Sequence, residues 1–180
     1  MKKGFALILA LVLAVGCVVG GTLAWLTAKS DTVTNTFTTS DITVTLKETT
    51  GAKYKMIPGY TISKDPKATV VAGSEECWLF VKLEKSANFD QYLNYEMADG
   101  WDLVEGQTNV YARKVESDDI GTSYSVLKND QVTVKGEVTK EMMTAANTAQ
   151  PTLKITAYAS QLHKNANEEF TAQQAWANIQ

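Results

Sequence analysis

The apolar residues of this chain recur with a period of two. Ile42, Val44 and Leu46 alternate with Asp41, Thr43, Thr45 and Lys47, and Cys77, Leu79, Val81 and Leu83 oppose Trp78, Phe80, Lys82 and Glu84. Successive side chains of an extended strand leave opposite faces of a sheet. The pattern therefore fits half-buried strands rather than amphipathic helices, whose period is about 3.6. The run from Cys77 begins apolar on both faces, as expected of a central strand whose second face is partly covered. Thr69 to Ala72, Asn109 to Val115, Ser123 to Leu127, Gln131 to Val138 and Leu153 to Leu162 are further strand candidates. In the last of these Leu153, Ile155, Ala157 and Ala159 align on one side. Thr, Val and Tyr dominate the runs and suit a pleated surface.

Turn chemistry separates the strands at short intervals. Pro58-Gly59, Asp65-Pro66 and Ala72-Gly73-Ser74 are turn sequences, and Asp99-Gly100 and Asn129-Asp130 fall between apolar stretches as hairpin or loop tips. Many short strands with turns between them predict an antiparallel arrangement, because parallel strands need crossover helices. Three helical pieces are expected. Phe89 to Tyr95 is a short turn of helix, and Thr139 to Ala146 is a connecting helix with Met142 on its apolar face. At the C-terminus Thr171 and Gln174 form a capping box, and Phe170 can staple onto Ala175. Ala172, Ala175, Trp176 and Ile179 share a face of that last helix. The fold class predicted is all-β: an antiparallel, jelly-roll-like sandwich with a short C-terminal helix, preceded by an N-terminal signal helix.

That N-terminal segment reads as an export signal. Lys2 and Lys3 precede an uncharged stretch from Gly4 to Ala28, which exits through Thr22-Leu23-Ala24, small residues at the −3 and −1 positions of a signal-peptidase site. Cleavage between Ala24 and Trp25 is expected. Two other fates suit the same residues. The stretch exceeds the roughly 20 apolar residues that span a bilayer, so it can serve as an uncleaved anchor, with Gly16 and Gly20 spaced for helix contact. Ala14-Val15-Gly16-Cys17 also loosely matches a lipoprotein box, with Cys17 acylated. The organisation expected is a signal peptide over 1–24, an N-terminal extension or donor strand over 25–40 and a sandwich domain over 41–180.

Charge and cysteine content narrow the function. Cleavage after Ala24 leaves 156 residues, enough for one domain, and removes two of the 17 basic residues, so 15 face 20 acidic ones for a net charge of −5. With Arg113 the single arginine, no basic cluster exists to neutralise phosphates, which argues against a nucleic-acid partner. Loss of Cys17 with the signal leaves Cys77 without an intramolecular partner. An exported chain with no disulfide must rely on burial, a habit that suits the surface of a Gram-positive bacterium.

A family resemblance runs through these residues in order. Gly20-Gly21-Thr22-Leu23-Ala24-Trp25-Leu26-Thr27, then Val33-Thr34-Asn35-Thr36-Phe37 and Ile42-Thr43-Val44-Thr45-Leu46, resembles the start of Firmicutes proteins exported through a dedicated, SipW-type signal peptidase. Pro58-Gly59, Lys64-Asp65-Pro66, Ala72 to Trp78, Ala157-Tyr158-Ala159 and Ala175-Trp176 are similar to the body of the same TasA/camelysin group. The resemblance implies a jelly-roll-like sandwich, secretion and, in the best-known members, polymerisation into biofilm matrix fibres. It also implies that the mature N-terminal segment pairs with a neighbour's sheet. The residues themselves permit this, because Trp25 to Thr39 is Thr-rich, β-prone and able to add to an open edge. The strand-addition segment expected is Val33, Thr34, Asn35, Thr36 and Phe37. Pairing within its own sandwich is the alternative.

Catalytic constellations are weak by contrast. Camelysin's protease designation would require a zincin's two histidines on one helical face, and this chain has only His163. As the sole base for a nucleophile, His163 is expected in a polar loop and solvated. Cys77, in alternating apolar company, reads as a buried hydrophobe. Glu116, Asp118 and Asp119 lack the spacing of a calcium loop, and Glu75-Glu76 reads as the cap of a turn before the Cys77 strand. Trp78, Phe80, Tyr92, Tyr95 and Trp101 offer either a glycan-binding face or ordinary core packing. No enzyme, cofactor or metal site is expected. The function expected is a secreted structural or matrix-fibre subunit, self-associating, touching membrane only through an uncleaved signal. A cell-surface adhesion or glycan-binding module is the alternative, with a camelysin-like metalloprotease a distant third.

Overall fold

The computed structural model describes residues 41–51 and 53–179. The signal segment, the cleavage site at Ala24 and Trp25, Cys17 and the segment Val33 to Phe37 lie outside the described residues. Those described fold mostly into strands of antiparallel sheet with a few short helices, as the alternation predicts. The strands are β1 (Val44–Lys47), β2 (Thr61–Ser63), β3 (Lys67–Val70), β4 (Cys77–Lys85), β5 (Leu93–Asn94) and β6 (Asp102–Leu103). They continue as β7 (Val110–Val115), β8 (Ser123–Ser125), β9 (Gln131–Val134), β10 (Leu153–Gln161), β11 (His163–Asn165) and β12 (Glu168–Glu169). The helices are α1 (Phe89–Tyr92), α2 (Lys140–Thr148) and α3 (Ala172–Ala177).

One sheet has the order β10-β4-β7-β6, with β4 paired along its whole length to β10 and over Cys77–Lys82 to β7. The sheets β1-β3-β8 and β2-β9-β5 adjoin each other. Pro66 has no amide hydrogen to give a ladder, which accounts for the interruption between β2 and β3. Hydrogen bonds from Lys64 N to Asp130 O (2.8 Å) and Val126 N to Pro66 O (2.9 Å) carry the pairing across the break. The chain moves repeatedly between the two layers, from β3 to β4, from β4 to β5 and from β9 to β10.

The main core lies where the layers meet. Cys77, Leu79, Val81 and Leu83 of β4 are fully or almost fully buried there, with Ala68 and Val70 of β3 and Val132 and Val134 of β9. The opposite face of β4 is also covered. Phe80 packs with Val110, Ala112, Val104, Ala175 and Trp176 in a second cluster, its ring 5.3 Å from that of Trp176. The capping box forms as expected, with Gln174 N donating to Thr171 Oγ1 (3.2 Å) and Thr171 N to Gln174 Oε1 (3.1 Å). It starts α3 where Ala175 and Trp176 can seal the outer face, and Phe170, Ala172 and Ile179 join the same cluster.

Several boundaries move. The helix expected over Phe89 to Tyr95 stops at Tyr92, and Leu93–Asn94 instead pair with β9. The strand expected over Thr69 to Ala72 lies at Lys67–Val70, ending before the turn closed by Ser74 N and Val71 O. The strand expected over Gln131 to Val138 stops at Val134. Arg113 has a role its solitary sequence position did not reveal. Its guanidinium carbon lies 4.2 Å from the centre of the Tyr124 ring and 5.6 Å from that of Trp101, and Nη2 donates to Asp99 O at 3.0 Å. Gly100, with φ +83°, sits directly beneath, where an added Cβ would lie 1.8 Å from Nη2.

Three consequences are measurable by denaturant unfolding. Phe80→Ala should cost about 3–5 kcal/mol, as for other large-to-small core truncations, and Val81→Asp should leave the chain unfolded because it buries an unpaired charge. Wild-type stability in Val81→Asp would contradict the register of β4. Gly100→Ala should cost about 1–2 kcal/mol from the left-handed backbone alone, and more from displacement of Arg113.

Candidate functional site

The structure disperses the residues on which catalysis would have to rest. Cys77 is fully buried at the start of β4, and burial pushes its thiol up to about 11, which keeps it protonated and unreactive. His163 lies in β11 of a small two-stranded ribbon rather than in a loop. Its Nε2 is 2.9 Å from Glu76 Oε2, while Glu76 Oε1 accepts from Ser117 Oγ (2.6 Å) and Ser117 N (3.0 Å). The hydroxyl thus donates to the carboxylate and not to the imidazole, so His163 is not placed to take its proton. Glu76 is therefore a tie joining three segments, not the cap of the turn before its own strand. The Ser117 hydroxyl, the His163 ring and the Ser117 amide hold its carboxyl down at about 2.

Glu116 pairs with Lys114 at 3.1 Å, and Asp118 and Asp119 occupy an exposed 3₁₀ turn. Among the described residues no three His, Cys, Asp or Glu side chains gather as metal ligands. The aromatics do not form an exposed platform. Phe80, Tyr92 and Trp101 are buried, and Trp78 and Tyr95 are half-buried. Trp101 donates to Ser125 O at 2.9 Å and Trp78 to Phe170 O at 2.8 Å, so both indoles are tied into the fold.

A different feature has the form of a docking site. Among the described residues β10 pairs on one side only, with β4, and it is nine residues long. Every second residue of such an antiparallel edge turns its N–H and C=O outward, a template for another strand. The core beside it is incompletely closed. Leu153, Ile155, Ala157 and Ala159 face the main core yet are only half-buried, whereas Leu83, Val81 and Leu79, the ladder partners of Ile155, Ala157 and Ala159 on β4, are at most 1 % exposed. Across the layers β1 lies close to β10, and its Val44 and Leu46 are half-buried too. The two edge strands thus bound an apolar seam beside an unpaired backbone. An added strand would gain about 1 kcal/mol net per hydrogen bond formed and would cover the seam with alternate side chains.

The alternation of Leu153 to Ala159 was legible in the sequence, but the edge position of the strand was not, because pairing order leaves no local trace. Compared with protein-family models, with curated proteins and with solved structures, the chain matches none.

The Glu76 tie makes a pH prediction. A carboxyl held below its ordinary value of about 4.5 stabilises the fold fully above that value, and the contribution is lost as pH falls towards 2. Melting temperature followed from pH 7 to pH 2 should fall more steeply in the wild type than in Glu76→Gln, which starts lower at pH 7. Parallel curves would contradict the tie.

Proposed function

We propose that this chain is an exported structural subunit of an extracellular matrix, which assembles when the Val33 to Phe37 segment of one copy adds to the outer edge of β10 in another. The observation that carries the proposal is that edge, nine residues of strand with an apolar seam along it. The donor fits it by simple periodicity. In an extended Val33-Thr34-Asn35-Thr36-Phe37, the side chains of Val33 and Phe37 leave one face together, so they can lie over Val44, Ile155 and Ala157 while Thr34 and Thr36 remain outside. The resemblance to exported, fibre-forming proteins of the TasA/camelysin group supports the same reading. So does the repeated passage of the chain between two layers, which is what a jelly-roll-like sandwich requires. In this reading residues 1–24 are removed by a dedicated signal peptidase, and the chain acts outside a Gram-positive cell.

Two experiments test the proposal. Mass spectrometry of the secreted protein should find a mature chain beginning at Trp25, and Ala24→Asp should block maturation. A mature chain beginning at a lipidated Cys17 would contradict this. Light scattering and electron microscopy at rising concentration should then find filaments in the wild type. Thr34→Pro or Thr36→Pro should abolish them with melting of the globular body unchanged, because proline withholds the amide hydrogen that a ladder needs. A wild type that stays monomeric under acidic, neutral and high-salt conditions, or proline variants that assemble normally, would overturn the proposal.

A further inference from the structure

We infer that the turn Ile57-Pro58-Gly59-Tyr60 is a membrane-docking tip, which enters the surface of a bilayer rich in anionic lipid. Ile57 is 53 % exposed and Tyr60 64 %, and they are two of the three large apolar side chains exposed among the described residues, Leu103 being the third. Pro58, between them in sequence, is exposed as well. The turn is held by its backbone. Tyr60 N donates to Ile57 O (3.0 Å), Gly59 N to Val134 O (3.1 Å) and Val134 N to Tyr60 O (2.8 Å). Gly59 supplies the left-handed residue (φ +78°) that follows proline in such a turn. A frame that does not need these apolar side chains in water thus presents them there, and exposed apolar clusters mark interaction surfaces.

The approach to the tip fixes the sign of the surface it suits. Exposure alternates along it: Lys53, Lys55 and Ile57 are exposed, while Tyr54 and Met56 between them are half-buried. Met56 packs on the main core, and Tyr54 is hydrogen-bonded to Glu48 and Thr50. The two lysines therefore stand on the outward side that leads to Ile57. From Thr49 to Lys64 the sequence holds no carboxylate, and Lys64 is taken up by Glu48 at 2.9 Å. Just beyond β9, which ladders with the turn, Lys135 and Glu137 offset each other, so the patch keeps the sign of Lys53 and Lys55. Screening confines charge effects to about 10 Å at 0.1 M salt, so at contact this patch outweighs the net negative charge of the chain. Lysines against anionic headgroups, with apolar side chains in the boundary beneath and a tyrosine at the interface, are the complementary arrangement. A protein partner fits less well. Stable protein interfaces engage roughly 20–30 residues a side, which a convex four-residue tip does not supply, whereas a bilayer deforms around it. The inference adds a membrane contact to the one expected of an uncleaved signal. The tip leads into the β2-β9-β5 sheet and strand addition occurs at β10 of the four-stranded sheet, so this inference and the assembly proposal can fail separately.

Cosedimentation of the secreted protein with vesicles tests it, using equal parts phosphatidylcholine and phosphatidylglycerol, with pure phosphatidylcholine vesicles and soluble dextran sulfate for comparison. The mixed vesicles should bind at least tenfold more tightly than the neutral ones, and dextran sulfate should not compete. Ile57→Ser/Tyr60→Ser should lose at least tenfold in vesicle affinity with an unchanged melting temperature, because both side chains are exposed. Lys53→Ser/Lys55→Ser should lose at least threefold and make the remaining binding less sensitive to salt. Leu103→Ser removes the third exposed apolar side chain, and Lys154→Ser/Lys164→Ser removes the same charge from β10 and β11; both should leave affinity unchanged. Three results would overturn the inference: no binding to the mixed vesicles, binding indifferent to the Ile57/Tyr60 variant, or an equal loss in the Leu103 or Lys154/Lys164 variants, which would signify only general adhesion of the surface.

Discussion

β4 is hydrogen-bonded to β10 along all nine of its residues and to β7 over Cys77–Lys82, it is packed on both faces, and at the centre Phe80 and Val81 are fully buried in opposite directions. Val81 points into the core between the layers, and Phe80 points into the cluster sealed by α3. Removing either face would expose the ladder that positions β10 and β7. Burial therefore does the work that a disulfide does in many exported domains, and the one described cysteine, Cys77, serves it as a hydrophobe.

Placing β4 inside the sheet forces other strands to its edges. β6 is two residues long, a common way of blunting an edge. β10 is as long as β4 itself and, among the described residues, nothing blunts it by pairing. Its lysine, Lys154, is exposed and lies 3.5 Å from Glu84, near one end of the strand rather than in the middle. A long edge beside half-buried Ile155, Ala157 and Val44 would be an aggregation hazard if left bare. In the proposed assembly the Val33 to Phe37 segment of a neighbouring copy covers it. The proposed assembly is thus one solution to a problem that the central position of β4 creates.

The sequence made the strands legible where a period of two persisted for several residues, as in Cys77–Lys85 and Leu153–Gln161. It also gave the C-terminal helix, because Thr171 and Gln174 carry their capping chemistry locally. It missed β2, β5, β6, β11 and β12, which span three residues or fewer, too short to show a period, and of these β2 and β5 also owe their form to β9, distant in the chain. The Glu76 tie joins residues 41 and 87 positions away, and the Arg113 stack joins residues up to 14 away, so neither has a local signature. Val33 to Phe37 was legible only as a β-prone segment, since its partner is a matter of where the open edge lies.

Amide hydrogen–deuterium exchange on dispersed and assembled protein, read peptide by peptide, tests the account most directly. Assembly by strand addition predicts that amides of β10 turned away from β4 exchange readily in the dispersed chain. In the assembled state they should become protected together with those of Val33 to Phe37, while β4 is protected in both states. Protection of β10 that is the same in dispersed and assembled protein, or assembly-dependent protection confined to other edges, would contradict the central claim.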